Sequence, residues 1–128
     1  MRLYRGLSRP YQSNQVAAGL HGTDFTDCPL TALQYAQGRQ GVVLVVDVPA
    51  EHTKISEELW LGAAARRFML WGCFDQFIAS VLPARELRAL VRRKGIVTAP
   101  PADKAGVLRR AIAERLRSRQ DEPAQRSR

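Results

Sequence analysis

The sequence predicts one α+β domain, and three stretches of its 128 residues carry that prediction. Gly41 to Val48 holds five valines and a leucine, a near-continuous apolar run of the kind seen in a strand covered on both faces. Asp27-Cys28-Pro29 reads as a sharp turn from an extended segment into a helix. Asp is a natural N-cap there, and a proline in the first helical turn gives up an N–H that has no partner anyway. Beyond Asp103, Val107, Leu108, Ala111, Ile112 and Leu116 recur at helical spacing with a basic face of Arg109, Arg110, Arg117 and Arg119.

The elements follow in order along the chain. Arg2 to Leu7 is a short strand ended by Ser8-Arg9-Pro10, Tyr11 to Asn14 is loop, and Gln15 to Leu20 is a short helical turn. Gly22 to Thr26 approaches the turn, and the helix from Pro29 to about Gln37 buries Leu30, Leu33 and Ala36 before Gly38 ends it. Pro49 stops the valine-rich strand, and Ala50 to Ile55 reads as loop. Glu58 to Trp71 reads as one or two helices, with Leu61, Ala64, Ala65, Phe68 and Trp71 on a buried face and Arg66-Arg67 in solvent. Phe74, Phe77 and Ile78 lead into a strand through Val81, which Leu82-Pro83 ends. Leu87 to Arg92 fits both periodicities and is assigned to a further strand, because the sheet needs partners. Val97 to Ala102 is a linker, and Asp103 caps the final helix.

Composition narrows the class. With 45% apolar and 25% charged residues, the chain has the make-up of a soluble globular protein. No apolar run approaches the roughly 20 residues of a membrane span, and the N-terminus lacks a signal peptide's apolar centre, so a cytoplasmic protein without membrane contact is expected. Cys28 and Cys73 are far apart and are expected to be reduced thiols. His21 and His52 are isolated, and no spacing of ligating residues points to a metal.

Charge is distributed unevenly. Residues 1–84 carry seven Lys/Arg and seven Asp/Glu, whereas residues 85–128 carry thirteen basic and five acidic residues and hold the whole net charge of +8. Such a field favours an acidic protein, a nucleic acid or a phosphate-rich ligand. From Ser118 to Arg128 the chain has almost nothing to bury and reads as a disordered tail.

Tyr4-Arg5-Gly6 in the first strand, Phe25-Thr26-Asp27 followed by Ala32 and Tyr35, and the Gly41-to-Pro49 strand form an ordered series. This series resembles the motifs of the ADP-ribosyltransferase fold, in particular its diphtheria-toxin-like branch and small bacterial relatives. The resemblance implies a split β-sheet core with short flanking helices over residues 1–97. Residues 98–128 then supply a linker, the basic amphipathic helix and the tail. It further implies that NAD is the substrate, held bent with its nicotinamide ribose exposed.

By that resemblance Arg5 anchors the adenosine-side ribose or the phosphates, a task suited to a permanent forked cation. Gly6 holds the nicotinamide amide with its backbone, Tyr35 and Phe25 sandwich the ring, and Thr26 orients the neighbouring strand. The third family motif is a glutamate that bonds the ribose 2′-hydroxyl. Phe74-Asp75-Gln76-Phe77-Ile78 places Gln76 there, with Asp75 one residue away and, on a strand, facing the other side. A glutamine accepts the hydrogen bond without supplying the charge, a loss of about 3 kcal/mol or roughly a hundredfold in rate.

Three functions compete on these residues. One is transfer of ADP-ribose from NAD to a protein or nucleic-acid acceptor, with hydrolysis of NAD as its close variant. Another is a catalytically degenerate module that binds an acidic protein or nucleic acid through the basic C-terminal region. The third is a small toxin held by a neutralising partner protein that docks on the final helix.

Overall fold

Among the described residues, six strands make one sheet in which every pair of neighbours is antiparallel, and three helices lie against it. The computed structural model describes residues 1–12, 23–56, 65–71 and 74–121. The strands are β1 (Arg2–Leu7), β2 (Thr23–Thr26), β3 (Val42–Asp47), β4 (Thr53–Ser56), β5 (Arg67–Leu70) and β6 (Ile78–Pro83). Their spatial order is β4-β5-β2-β1-β3-β6. The helices are α1 (Pro29–Tyr35), α2 (Ala84–Val91) and α3 (Pro101–Asp121). Among the described residues, no helix is long and apolar enough to cross a membrane.

Strand alternation divides the core in two. On the helical face, Tyr4, Val43, Val45 and Leu82 meet Leu33 of α1 and Ala36 just past it, Leu87 of α2, and Leu108, Ile112 and Leu116 of α3. On the other face, Leu3, Phe25, Leu44, Val46, Phe68 and Leu70 pack with Val48 and Phe74. β3 therefore alternates between two buried clusters, which explains its unbroken apolar run.

Several expectations are corrected by this arrangement. Thr53–Ser56 is a strand preceded by a 3₁₀ turn at Ala50–His52, where loop was expected. Arg67–Leu70 is a strand, not the end of a helix. Phe68 is buried because it pairs with Phe25, and Trp71 lies outside the core. Ala84–Val91 is a helix, not a strand. The sheet did need partners, but β4 and β5 supply them, which frees Leu87 to turn onto the helical core. α3 begins two residues before Asp103 and continues through residues 118–121, the first part of the expected tail. Leu108 and Ile112 are wholly buried in the sheet's own core, so the proposed division at residues 97/98 does not separate two cores. The helical turn expected at Gln15–Leu20, residues 58–64 of the helix expected over Glu58 to Trp71, and residues 122–128 lie outside the described residues.

Candidate functional site

The sheet opens between β1 and β2. β1 and β3 are in register at six positions from Arg2↔Asp47 to Leu7↔Val42, whereas β1 and β2 are in register at Tyr4↔Thr26 alone. Beyond that pair the two strands part, and Arg5 and Gly6 face Asp24 and Phe25 across a gap. The parting leaves backbone groups that need partners. The Arg5 guanidinium supplies one, its Nη1 donating to the Asp24 carbonyl oxygen at 2.8 Å.

A cavity of about 360 Å³ occupies this gap under α1. Tyr4, Arg5 and Gly6 form one side, Asp24, Phe25, Thr26 and Arg67 the other, and Ala32 and Tyr35 of α1 close it. Its size is at the small end for ligand pockets. Burial pushes the Arg5 pKa down, an effect that the neighbouring Asp24 charge opposes and Arg9 adds to. Burial likewise pushes the Tyr4 phenol up from its ordinary value. Arg67 and Asp24 pair at 3.7 Å between Nε and Oδ1, and Oδ1 is buried without a hydrogen bond.

The β2–α1 turn is held from several sides. Thr26, itself fully buried, accepts a hydrogen bond at Oγ1 from the Cys28 backbone N–H at 3.2 Å. Asp27 was expected to cap α1, but the residue at the cap position is Cys28, with no side-chain cap. The Asp27 carboxylate instead accepts from the Arg66 backbone N–H at 2.9 Å, while Asp27 N–H donates to the Arg66 carbonyl at 3.3 Å. Pro29 occupies the first helical turn as expected. From α3, Arg109 Nη2 donates to the Asp27 carbonyl at 3.2 Å, and Ala105 packs with Cys28 and Ala65. From α2, the Arg88 guanidinium donates to the Ala36 carbonyl just past α1. The helical layer thus fixes the element that carries Tyr35.

The structure brings Arg5, Gly6, Phe25, Thr26 and Tyr35 to one cavity. Their detailed roles differ from expectation at two of them. The Phe25 ring is buried and meets Phe74 edge-on at 5.0 Å, so it is engaged in the core and is not a free stacking wall. Gly6 borders the cavity, but its missing side chain serves α1: a Cβ there would lie 1.9 Å from the Ala32 carbonyl oxygen. Tyr35 is half exposed at the rim.

Asp75 and Gln76 are not on the cavity wall. They sit in a 3₁₀ turn, Asp75–Phe77, and β6 starts only at Ile78, so strand alternation does not aim either of them. Asp75 accepts a hydrogen bond from the Tyr11 hydroxyl, and Gln76 is exposed. Sequence reasoning missed Asp24 and Arg67. Arg67 reaches the cavity only because β5 pairs with β2, placing it opposite Thr26, and no local pattern announces that pairing. The chain matches no protein-family model, no curated protein and no solved structure.

Proposed function

We propose that this chain is an NAD-dependent enzyme that transfers ADP-ribose to a protein or nucleic-acid acceptor, or hydrolyses NAD when water is the acceptor. The observation that carries the reading is the convergence of Arg5 and Tyr35 on one cavity where β1 and β2 part. The volume of about 360 Å³ suits a nicotinamide and its ribose, leaving the rest of the dinucleotide along the opening. Tyr35 offers an aromatic face at the rim. Arg5 and Arg67 offer cations for the phosphates, with Arg67 already beside Asp24.

The reaction balances as a substitution at the ribose C1′. The C1′–N bond breaks, and its electron pair leaves with nicotinamide, which becomes neutral. The resulting oxocarbenium-like centre takes a lone pair from the acceptor, which then releases a proton. The chain's part is to hold the ring and phosphates apart so that C1′ is presented to the acceptor.

Nicotinamide release from NAD, followed chromatographically, tests the reading directly. Mass gain of an acceptor by one ADP-ribose separates transfer from hydrolysis. NAD is expected to raise the melting temperature of the wild type, and Arg5→Ala is expected to abolish that shift. A wild type that is neither stabilised by NAD nor able to release nicotinamide sinks the proposal.

The second reading, a binding module for an acidic protein or nucleic acid, is favoured by one observation. Arg85, Arg109, Arg110 and Arg117 of α2 and α3 are exposed and belong to the basic excess of the C-terminal third. Residues 85–128 contain no aromatic residue, so any nucleic-acid contact would be to phosphates and steeply salt-dependent. Polynucleotide binding that vanishes with added salt, without any NAD-induced stabilisation, would favour this reading over the first.

A further inference from the structure

The cavity carries a carboxylate that the family resemblance does not use. Among the described residues, Asp24 is the only acidic side chain on its wall. It stands on β2 where β1 has drawn away, and its backbone carbonyl is held by Arg5 at 2.8 Å. Its Oδ1 is buried and accepts no hydrogen bond; the Arg67 Nε at 3.7 Å is an ion-pair partner beyond hydrogen-bonding distance. A carboxylate has about four acceptor positions, and an ion pair at this distance uses none of them. Oδ1 is shut off from solvent beside Arg67, but the Asp24 side chain as a whole is 39% exposed, so the carboxylate meets the cavity through its other oxygen, where a ligand hydroxyl can donate to it. A ribose hydroxyl is such a donor.

We propose that Asp24 is the residue that accepts a hydrogen bond from a ribose hydroxyl of the nicotinamide half of NAD. Its negative charge then faces the cation that develops at C1′ as nicotinamide leaves with the bonding electron pair. Asp24 accepts hydrogen bonds and transfers no proton. It fills the part that the sequence resemblance assigns to Gln76 or Asp75, neither of which lines the cavity. Arg67 is a positioning residue that holds Asp24 through the ion pair at Oδ1. This assignment rests on the NAD reading above.

The test uses the full chain and two measurements, nicotinamide release at saturating NAD and the NAD-induced rise in melting temperature. Asp24→Asn is expected to lower release about a hundredfold while NAD still raises the melting temperature. Asp24→Glu keeps the charge but displaces it by a methylene, and is expected to fall about tenfold. Release by Asp24→Asn within threefold of the wild type overturns the assignment and leaves the NAD reading standing. A wild type that neither binds NAD nor releases nicotinamide overturns both. Should Asp24→Asn fail to fold, Asp24→Glu decides, because it retains the counter-ion of Arg67; wild-type release by that variant overturns the assignment.

Discussion

Gly6 of β1 lies against Ala32 of α1 so closely that a side chain at position 6 would fall inside the helix backbone. A Cβ there would be 1.9 Å from the Ala32 carbonyl oxygen, 2.9 Å from its carbon and 3.0 Å from the Ala36 nitrogen. None of these atoms is the flexible end of a side chain, so only a displacement of α1 relieves the clash. Gly6→Ala is expected to cost about 3 kcal/mol, the upper end for overpacking. Denaturant unfolding measures it, and a loss below about 0.5 kcal/mol would mean that α1 moves freely over the sheet.

Tyr35 makes the opposite prediction, because its ring is half exposed at the cavity rim. Tyr35→Ala should leave the melting temperature of the free protein within a few degrees. The same substitution should weaken NAD binding about tenfold, since stacking a base on an aromatic ring is worth about 1–3 kcal/mol. Unchanged NAD affinity in a well-folded Tyr35→Ala would remove the stacking role.

What the sequence shows of this fold is what depends on neighbours along the chain. The valine run is a strand buried on both faces, Pro29 sits in the first turn of α1, and Leu108, Ile112 and Leu116 keep their helical spacing into the core. What depends on partners distant in sequence is illegible. Phe68 has helical spacing from Ala64 and Ala65, yet it is buried by pairing with Phe25 more than forty residues earlier. The same pairing turns Arg67 from an expected surface residue into a cavity residue. Of the expected site, the half built on β1, β2 and α1 assembles: local turn chemistry places Thr26 and Tyr35, while Arg5 and Gly6 arrive through the β1–β2 pairing, which no local pattern announces. The half assigned to Asp75 and Gln76 does not, because a 3₁₀ turn replaces the strand on which their facing was argued.

The C-terminal helix is part of the core, and its removal should be felt globally. Leu108 and Ile112 are wholly buried against strands and helices of the first 97 residues. Leu108→Ala or Ile112→Ala should each cost about 2–5 kcal/mol. That is a large share of the roughly 5–15 kcal/mol typical of a domain's stability. A chain ending at residue 97 should lose its cooperative unfolding transition. Cooperative unfolding of that truncated chain would show that the helix is an appendage after all.

Tyr4 predicts how stability changes in alkali. Loss of hydration raises its phenol pKa above the ordinary value of 10.0, against the opposing charges of Arg2 and Arg109. The folded state therefore favours the protonated phenol. The stabilisation is fully present below the unfolded value near 10 and is lost as the pH rises from there through the folded value. Over that window the unfolded chain gives up the Tyr4 proton before the folded one does, so this residue costs at most about 1.4 kcal/mol per pH unit. Tyr4→Phe has no proton to lose. Its stability should therefore fall less steeply than that of the wild type above about pH 10, while the two curves run parallel at lower pH. Urea unfolding at intervals from pH 7 to pH 11 measures both slopes, and curves that stay parallel to the alkaline end would show that the Tyr4 hydroxyl is hydrated in the fold.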